Sequence, residues 1–233
     1  MLLYEHPLSS YAQKVKIALR EKGLEFDVET PQGLGSGKSA GPFAASSPRL
    51  EVPALIDGDT RIFDSTIILE YLEDKWPIPP LLPRDPTARA EARMIEDVCD
   101  TLYEAINWGL GEIRWFKRAE GEQADRMTAT AARQTAEIQA WLAVKLGTKP
   151  WFNGDAFGWA DISVAPYLNR STMAWEPPTA GRWHGGAIGF ASVRQWLRLS
   201  RNSRLRPAAW AMAPSAWRRA PSDASTAITA SNG

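Results

Sequence analysis

The chain has 233 residues, of which 44% are hydrophobic and 23% charged, a composition that excludes wholesale disorder, a collagen-like fibre and a coiled coil. Its 27 basic and 27 acidic side chains balance, so the overall charge gives no reason to expect a nucleic-acid partner. Cys99 is the only cysteine, which excludes an intramolecular disulfide and a cysteine-based zinc site. No apolar run approaches the roughly 18 residues of a membrane span, and the first residues lack a secretion-signal pattern, so we expect a cytoplasmic protein without a membrane partner.

The first 76 residues alternate between strand and helix patterns. Leu2 to His6 predicts a buried strand, and Tyr11 to Gly23 predicts a helix because Ser9 and Ser10 stand where an N-cap belongs. The remaining predicted elements are a strand over 24–29, a loose Gly/Ser region with a short helix over 32–47, two strands over 53–56 and 61–63 joined at Asp57-Gly58, and a helix opened by Asp64-Ser65.

Residues 77–86 are rich in proline and predict a stiff linker. The segment 87–175 that follows is helical by pattern. A long helix is predicted to begin at Asp85 or Thr87 and to end near Lys117, and a second one to cover about 122–146. The first would carry an apolar face and a buried, inert Cys99; that face consists of Met94, Val98, Leu102, Ile106 and Ile113.

Three separated motifs resemble those of glutathione transferases. Residues 9–15 resemble the active-site turn of that family, residues 47–55 the loop that ends in a cis-proline, and residues 64–68 the acid-Ser pair that opens the third helix. The resemblance covers about residues 1–175. It implies an N-terminal thioredoxin-like α/β domain over 1–76, the linker over 77–86 and an all-α C-terminal domain over 87–175.

The resemblance implies that Ser9 donates a hydrogen bond to the glutathione sulfur, because a helix N-terminus and a hydroxyl both favour a thiolate. Ser10 is the alternative catalytic residue and Tyr11 a more distant one; a plain N-cap is the structural alternative. The family's proline after the catalytic residue is replaced by Ser10. Cysteine is absent from positions 9 and 12, which disfavours thiol–disulfide exchange through the protein.

The glutathione-binding residues follow from the same resemblance. Val52 and the cis-proline Pro53 would pair with the cysteinyl part of glutathione, and Asp64 with Ser65 would bind its γ-glutamyl carboxylate at a helix N-terminus. Lys38 would meet the glycyl carboxylate, unless it is simply a solvated lysine of a Gly-rich loop.

The second substrate should lie between the glutathione sulfur and the first long helix. Aromatic residues are candidates for that wall, although on a helix they are more often core or dimer contacts; they are Tyr103, Trp108, Trp115 and Phe116. Residues 154–162 resemble the family's buried capping motif, with Gly158 at the usual Ser/Thr position and Asp161 in a structural role.

The resemblance as a whole implies a homodimeric glutathione transferase that acts on a small apolar electrophile. It also implies a role in detoxification and no bound metal. Conjugation and displacement of a halide or ether leaving group stay open as reactions. The alternative from another class is a catalytically silent relative that binds partners, as stress proteins of this family do.

The last 58 residues have a different character. From Glu176 onward there are eight Arg, no Lys, two acidic residues and four Trp, a local charge of +6, without helical periodicity. Reading the codons one base out of frame can restore a family-type C-terminal helix, so we hypothesise a frameshift near residues 176–180. The alternative is a genuine basic extension that binds an acidic partner, nucleic acid being a weak candidate.

Overall fold

We analysed a computed structural model, which describes the backbone of residues 1–175 and the side chains of residues 1–171. The hypothesis about the tail after Glu176 lies outside the described residues. The strands are β1 (Leu2–Tyr4), β2 (Asp27–Glu29), β3 (Ala54–Asp57) and β4 (Thr60–Phe63). They form one sheet in the order β2-β1-β3-β4, with β1 and β2 parallel and the other two pairs antiparallel.

The helices follow the predicted order, with one difference. They are α1 (Ser10–Glu21), α2 (Gly41–Ser46), α3 (Ser65–Lys75), α4 (Pro86–Asp97), α5 (Glu104–Arg114), α6 (Gly121–Leu146) and α7 (Trp159–Trp175). The single long helix expected up to Lys117 is α4 and α5 joined by a π-helical turn over Val98–Tyr103.

The register of the sheet brings the candidate motifs to one end. Tyr4, the last residue of β1, pairs with Glu29 at the end of β2 and with Ala54 at the start of β3. Ala54 in turn pairs with Phe63, the last residue of β4. The candidate active-site turn after β1, the proline before β3 and the acid-Ser pair after β4 therefore lie at the same end of the sheet.

The buried face of α4 and α5 is rotated from the predicted one. Met94 and Leu102, expected to be apolar core residues, are 54% and 46% exposed. Ile113 is buried as predicted, but most of the buried stripe lies one position further along the chain and includes polar residues; these are Ala92, Ile95, Glu96, Cys99, Tyr103, Glu104, Asn107 and Leu110. A hydrophobicity pattern misses this stripe because burial of its acids depends on partners that are distant in sequence.

One hydrophobic core joins the sheet with the helical segment. Leu3 of β1, Leu19 of α1 and Leu69 of α3 belong to the same buried cluster as Cys99 and Trp159. In the part of the chain that the structure describes, no helix is long and apolar enough to cross a membrane.

The proline-rich segment 77–86 forms hydrogen bonds both with residues that precede it in the chain and with residues that follow it. The backbone N–H of Leu81 donates to the Glu73 carboxylate of α3, while its carbonyl accepts from the side-chain amide of Asn153 and from the backbone N–H of Trp159. Lys22 at the end of α1 donates to the carbonyl of Trp76 at 2.6 Å. The segment therefore takes a fixed path between the sheet and the last described helix.

Asp161 stabilises the start of α7. Its carboxylate accepts from the backbone N–H groups of Phe152, Asn153 and Gly158, at 2.9 to 3.2 Å. Burial raises the pKa of this carboxyl to about 6, and the hydrogen bonds from the backbone oppose that increase. These contacts are those of a capping residue, as the sequence indicates for this position.

Candidate functional site

The turn after β1 places Ser9 at the N-terminus of α1. Ser9 has an extended backbone, and its Oγ accepts from the N–H of Ala12 at 3.2 Å. Its carbonyl accepts from the N–H of Gln13, which begins the helical ladder. A hydroxyl that accepts one hydrogen bond keeps its own hydrogen for another partner. Ser9 is half-buried, so a ligand at the helix terminus can reach it.

Ser10 makes a different contact. Its hydroxyl donates to Oε2 of Glu104 at 2.9 Å, and the side chain is buried. The Tyr11 hydroxyl likewise donates away from the turn, to the backbone carbonyl of Asp100 at 2.7 Å. Of the three hydroxyl residues in the motif, Ser9 is thus the one whose hydrogen is not directed at the helical segment.

Glu104, at the start of α5, is buried beside this turn, and sequence reasoning did not single it out. Burial raises the pKa of its carboxyl to about 7, while Arg170 and the hydrogen bond from Ser10 oppose the increase. Nε of Arg170 lies 3.5 Å from Oε1 of Glu104. Arg170 comes from α7, where a cation shortly after the apolar run 162–168 is the signal that could have marked it.

The proline motif lies at the start of β3. The peptide bond between Val52 and Pro53 is cis, as the resemblance implies. Ser47 supports the loop before it, since its Oγ donates to the carbonyl of Glu51 and accepts from the N–H of the same residue. Lys38 is exposed in the loop that follows β2, which leaves the same end of the sheet.

Asp64 and Ser65 open α3 as expected. Asp64 has a φ of 74°, and its Oδ1 accepts from the N–H groups of Thr66 and Ile67. Its other oxygen, Oδ2, accepts from Arg49 at 3.0 Å. Ser65 is the first residue of α3, so its N–H and hydroxyl lie at this helix terminus, where Arg49 is bound to the capping residue Asp64. Arg49 is a second residue that the sequence analysis did not single out.

The aromatic candidates fall into two environments. Tyr103 is fully buried in the core, where its hydroxyl accepts from Gln139 at 2.8 Å, so it does not line a wall. Trp108 is 51% exposed on α5, and Trp115 follows α5 in a half-buried position. The guanidinium of Arg170 lies over both indole rings, at 5.2 and 5.9 Å from their centroids. Phe116 is exposed beyond them.

A buried charge cluster lies behind the turn. The Lys14 ammonium of α1 is fully buried and lies 2.6 Å from carboxylate oxygens of both Glu96 and Asp100. Glu96 also accepts from Nε1 of Trp159, and Asp100 from the hydroxyl of Tyr167. Neighbouring carboxylates raise the pKa of Lys14 against the opposing effect of burial, so the cation is retained. The cluster is structural in its contacts, since each charge is paired.

Cys99 is buried, as predicted, and burial raises the pKa of its thiol well above the ordinary value. It is therefore not a nucleophile at neutral pH. Residues 1–171 contain no group of three or more His, Cys, Asp and Glu side chains that could hold a metal ion.

Comparisons with known proteins agree with this fold. The family described as glutathione S-transferase, N-terminal domain, matches residues 3–80. Glutathione S-transferase U28 of Arabidopsis thaliana is 33% identical over 162 residues, which are 69% of this chain and 68% of the relative. A stringent starvation protein A homolog of Coxiella burnetii is 28% identical over 170 residues, which are 73% of this chain and 75% of the relative.

A solved structure gives the same result. The glutathione S-transferase of Methylobacterium radiotolerans, in complex with glutathione sulfonate, superposes with a TM-score of 0.65 at 30% identity, over 86% of this chain and 90% of that one. The fold is therefore a thioredoxin-like sheet followed by a helical segment. The chain belongs to the cytosolic glutathione S-transferase superfamily.

Proposed function

We propose that the chain binds glutathione and activates its thiol for attack on a small, apolar electrophile. The observation that carries the proposal is the position of Ser9 at the N-terminus of α1, where its hydroxyl hydrogen has no acceptor among residues 1–171 while Ser10 is engaged with Glu104. Among the hydroxyls of the turn this favours Ser9 as the donor to sulfur. The relative solved with glutathione sulfonate supports glutathione as the ligand.

The binding residues extend this proposal. Val52 and Pro53 would pair with the cysteinyl backbone, and Ser65 with Asp64 would hold the γ-glutamyl group, with Lys38 near the glycyl carboxylate. The end of β2, the start of β3 and the end of β4, which these three groups of residues adjoin, lie at the same end of the sheet. Trp108 and Trp115 would form the wall for the electrophile, whereas the buried Tyr103 would support it from the core.

The chemistry needs little from the protein. The thiol of bound glutathione loses its proton to water, and the sulfur anion is stabilised by the Ser9 hydroxyl and the free N–H groups of α1. The sulfur then forms a bond to an electrophilic carbon. In a displacement the leaving group departs with the electron pair of its bond; in an addition the electron pair moves onto the acceptor, which takes a proton from water.

A cytoplasmic homodimer with a detoxifying role is also part of the proposal, and so is the division into an N-terminal domain, a linker and a C-terminal domain at the boundaries given above. Ile67 on α3 and Met94 on α4 are 56% and 54% exposed, which supports a protein contact on these helices. The two helices are joined by the ion pair of Arg93 with Glu70.

The test is glutathione affinity by calorimetry together with the ultraviolet absorbance of the bound thiolate across pH. We expect binding with a thiol pKa well below about 8.5, and Ser9→Ala should return the pKa toward that value and lower the rate with an electrophile about 10- to 100-fold. Ser163→Ala, a buried serine of α7 that donates to the Trp159 carbonyl, is the control. An unchanged thiol pKa in Ser9→Ala would contradict the role of Ser9.

A second candidate is a catalytically silent member that binds partners. It is favoured by the similarity to stringent starvation protein A homologs and by Ser10 in place of the family's proline. Glutathione binding without any shift of the thiol pKa, or no binding at all, would select this alternative.

A further inference from the structure

The residues on either side of Ser9 are both attached to one buried ion pair. Ser10 donates from its hydroxyl to Oε2 of Glu104, and the carbonyl of Leu8 accepts from a terminal nitrogen of Arg170. Glu104 and Arg170 are 6% and 3% exposed and face each other at 3.5 Å. Ser9 itself forms no hydrogen bond with either of them, so the pair holds the turn at the two positions that flank the candidate donor.

The geometry points to a positioning role: we propose that the Glu104–Arg170 pair fixes the turn over Leu8–Ser10 and thereby sets the direction of the Ser9 hydroxyl. The effect on catalysis rests on the proposed function of Ser9, whereas the effect on the turn does not. A planar guanidinium suits this task because its Nε edge lies against Glu104, 3.5 Å from Oε1, while a terminal nitrogen donates to the Leu8 carbonyl.

The pair also connects the turn to the wall proposed for the electrophile. The Arg170 guanidinium that holds Leu8 lies over the rings of Trp108 and Trp115. Such contacts between a cation and an aromatic face are stronger when the cation is desolvated, and Arg170 is buried although Trp108 is half-exposed. The side chains that shape the electrophile wall and the residue that anchors the turn therefore form one packed unit.

Several charged and titratable groups face Glu104 from the elements packed against it. Arg170 of α7 lowers the pKa of its carboxyl, and Asp100 of the π-helical turn raises it. The phenols of Tyr11 and Tyr167 also lie within its electrostatic reach. Above about pH 7, where the Glu104 carboxyl is ionised, a change of Glu104 to Gln removes its charge and keeps an acceptor for Ser10, so in that pH range it isolates the ion pair from the hydrogen bond.

The test uses the full chain and two readouts. The first is hydrogen exchange of the Ala12 and Gln13 amides in the free protein, measured by NMR, because these amides donate to Oγ and O of Ser9. The second is the thiol pKa of bound glutathione. We expect Arg170→Gln to speed both amide exchange rates by at least about tenfold, the cost of freeing a local hydrogen bond, and to move the thiol pKa at least halfway back to about 8.5.

Two further variants sharpen the result. Arg170→Lys keeps the charge but not the planar fork, and should give a smaller effect than Arg170→Gln on both readouts. Glu73→Gln is the matched control, because Glu73 is also buried and paired with a buried lysine, Lys22, but touches no residue of the turn. It should leave the exchange rates of the Ala12 and Gln13 amides, and the acid dissociation constant of the bound thiol, within about threefold of the wild type.

The outcomes separate the two proposals. Equal amide exchange in Arg170→Gln, Glu104→Gln and Glu73→Gln would overturn the positioning role, whatever glutathione does. If Arg170→Gln exchanges these amides faster but glutathione bound to the wild-type protein has an ordinary thiol pKa, the positioning role is supported and the role of Ser9 is refuted. If circular dichroism shows that Arg170→Gln does not fold, Ser10→Ala is used instead, because it removes the hydrogen bond to Glu104 without leaving an unpaired charge. Exchange of the Ala12 and Gln13 amides at the wild-type rate in Ser10→Ala would then overturn the positioning role.

Discussion

Ser9 and Ser10 are neighbours with the same hydroxyl group, and the structure gives them different partners. Ser9 accepts from Ala12 at the helix terminus, whereas Ser10 donates into the buried carboxylate of Glu104. The sequence alone leaves either serine as the catalytic candidate, because the partner of Ser10 is 94 residues away along the chain. The distinction comes from tertiary contact and not from local propensity.

Glu104 makes stability depend on pH in an unusual direction for an acid. The pKa of its carboxyl is about 7 in the folded protein and 4.5 ordinarily, so the folded state keeps a proton that the unfolded state releases. Its contribution is therefore fully present below about pH 4.5 and is lost as the pH rises to about 7. We expect Glu104→Gln to abolish this pH-dependent loss of unfolding free energy, which is on the order of 3 kcal/mol.

The measurement is urea unfolding of both proteins at intervals between pH 4.5 and pH 8. The difference in unfolding free energy between Glu104→Gln and the wild type should grow with pH in favour of the variant. Ser163→Ala, which does not titrate, should shift the free energy by a constant amount. A difference that does not vary with pH for Glu104→Gln would show that Glu104 is not protonated in the folded state near neutrality.

At the scale of the helices, local signals predicted more than long-range ones. The Ser9 cap, the hairpin near Gly58 and the start of α3 at Ser65 were all found from short patterns, because caps and turns depend on neighbouring residues. The buried face of α4 was misplaced, since Glu96 lies in it and its burial requires Lys14 and Trp159. The Glu104–Arg170 pair was missed for the same reason.

Gly158, before α7, is required by a close approach and not by its backbone angle. A Cβ there would lie 2.4 Å from the carbonyl oxygen of Leu81 and 2.1 Å from Nδ2 of Asn153. The space of the usual Ser/Thr cap is thus taken by the Asn153 amide, which donates to Leu81. We expect Gly158→Ser to lower the unfolding free energy by about 1–3 kcal/mol despite the better capping residue.

Thermal or urea unfolding checks this expectation against Gly109→Ser. Gly109 lies inside α5 with no atom within 4 Å of an added Cβ, so its substitution should be neutral or slightly stabilising. An increase in stability for Gly158→Ser would mean that Asn153 leaves its place without cost.

At the scale of the whole molecule, Lys14 joins the first helix to the helical segment. It lies on α1 and contacts Thr66 of α3, Glu96 of α4 and Asp100 of the π-helical turn. Removal of this cation leaves two buried carboxylates without their partner. We expect Lys14→Met to lower the unfolding free energy by about 3–5 kcal/mol, measured by urea unfolding.

The control is Arg133→Met on the exposed face of α6, where the pair with Glu137 is solvent-exposed and contributes less than about 1 kcal/mol. Because the hydrophobic core is shared, the loss in Lys14→Met should appear as one transition by both far-ultraviolet circular dichroism and tryptophan fluorescence. A loss equal to that of the control would show that the cluster adds no net stability.

The π-helical turn over Val98–Tyr103 has an evolutionary consequence. Such a turn accommodates one residue more than an α-helix of the same length, and deletion of an exposed residue such as Thr101 would return it to regular α-helix. Because the wide turn takes up the additional residue, a deletion would leave α5 and Glu104 in phase and would change only the direction of residues inside the turn, such as Asp100. Among homologous genes, a one-codon gap in this segment would therefore mark members that keep the contact of Glu104 with Ser10 but hold Lys14 without Asp100.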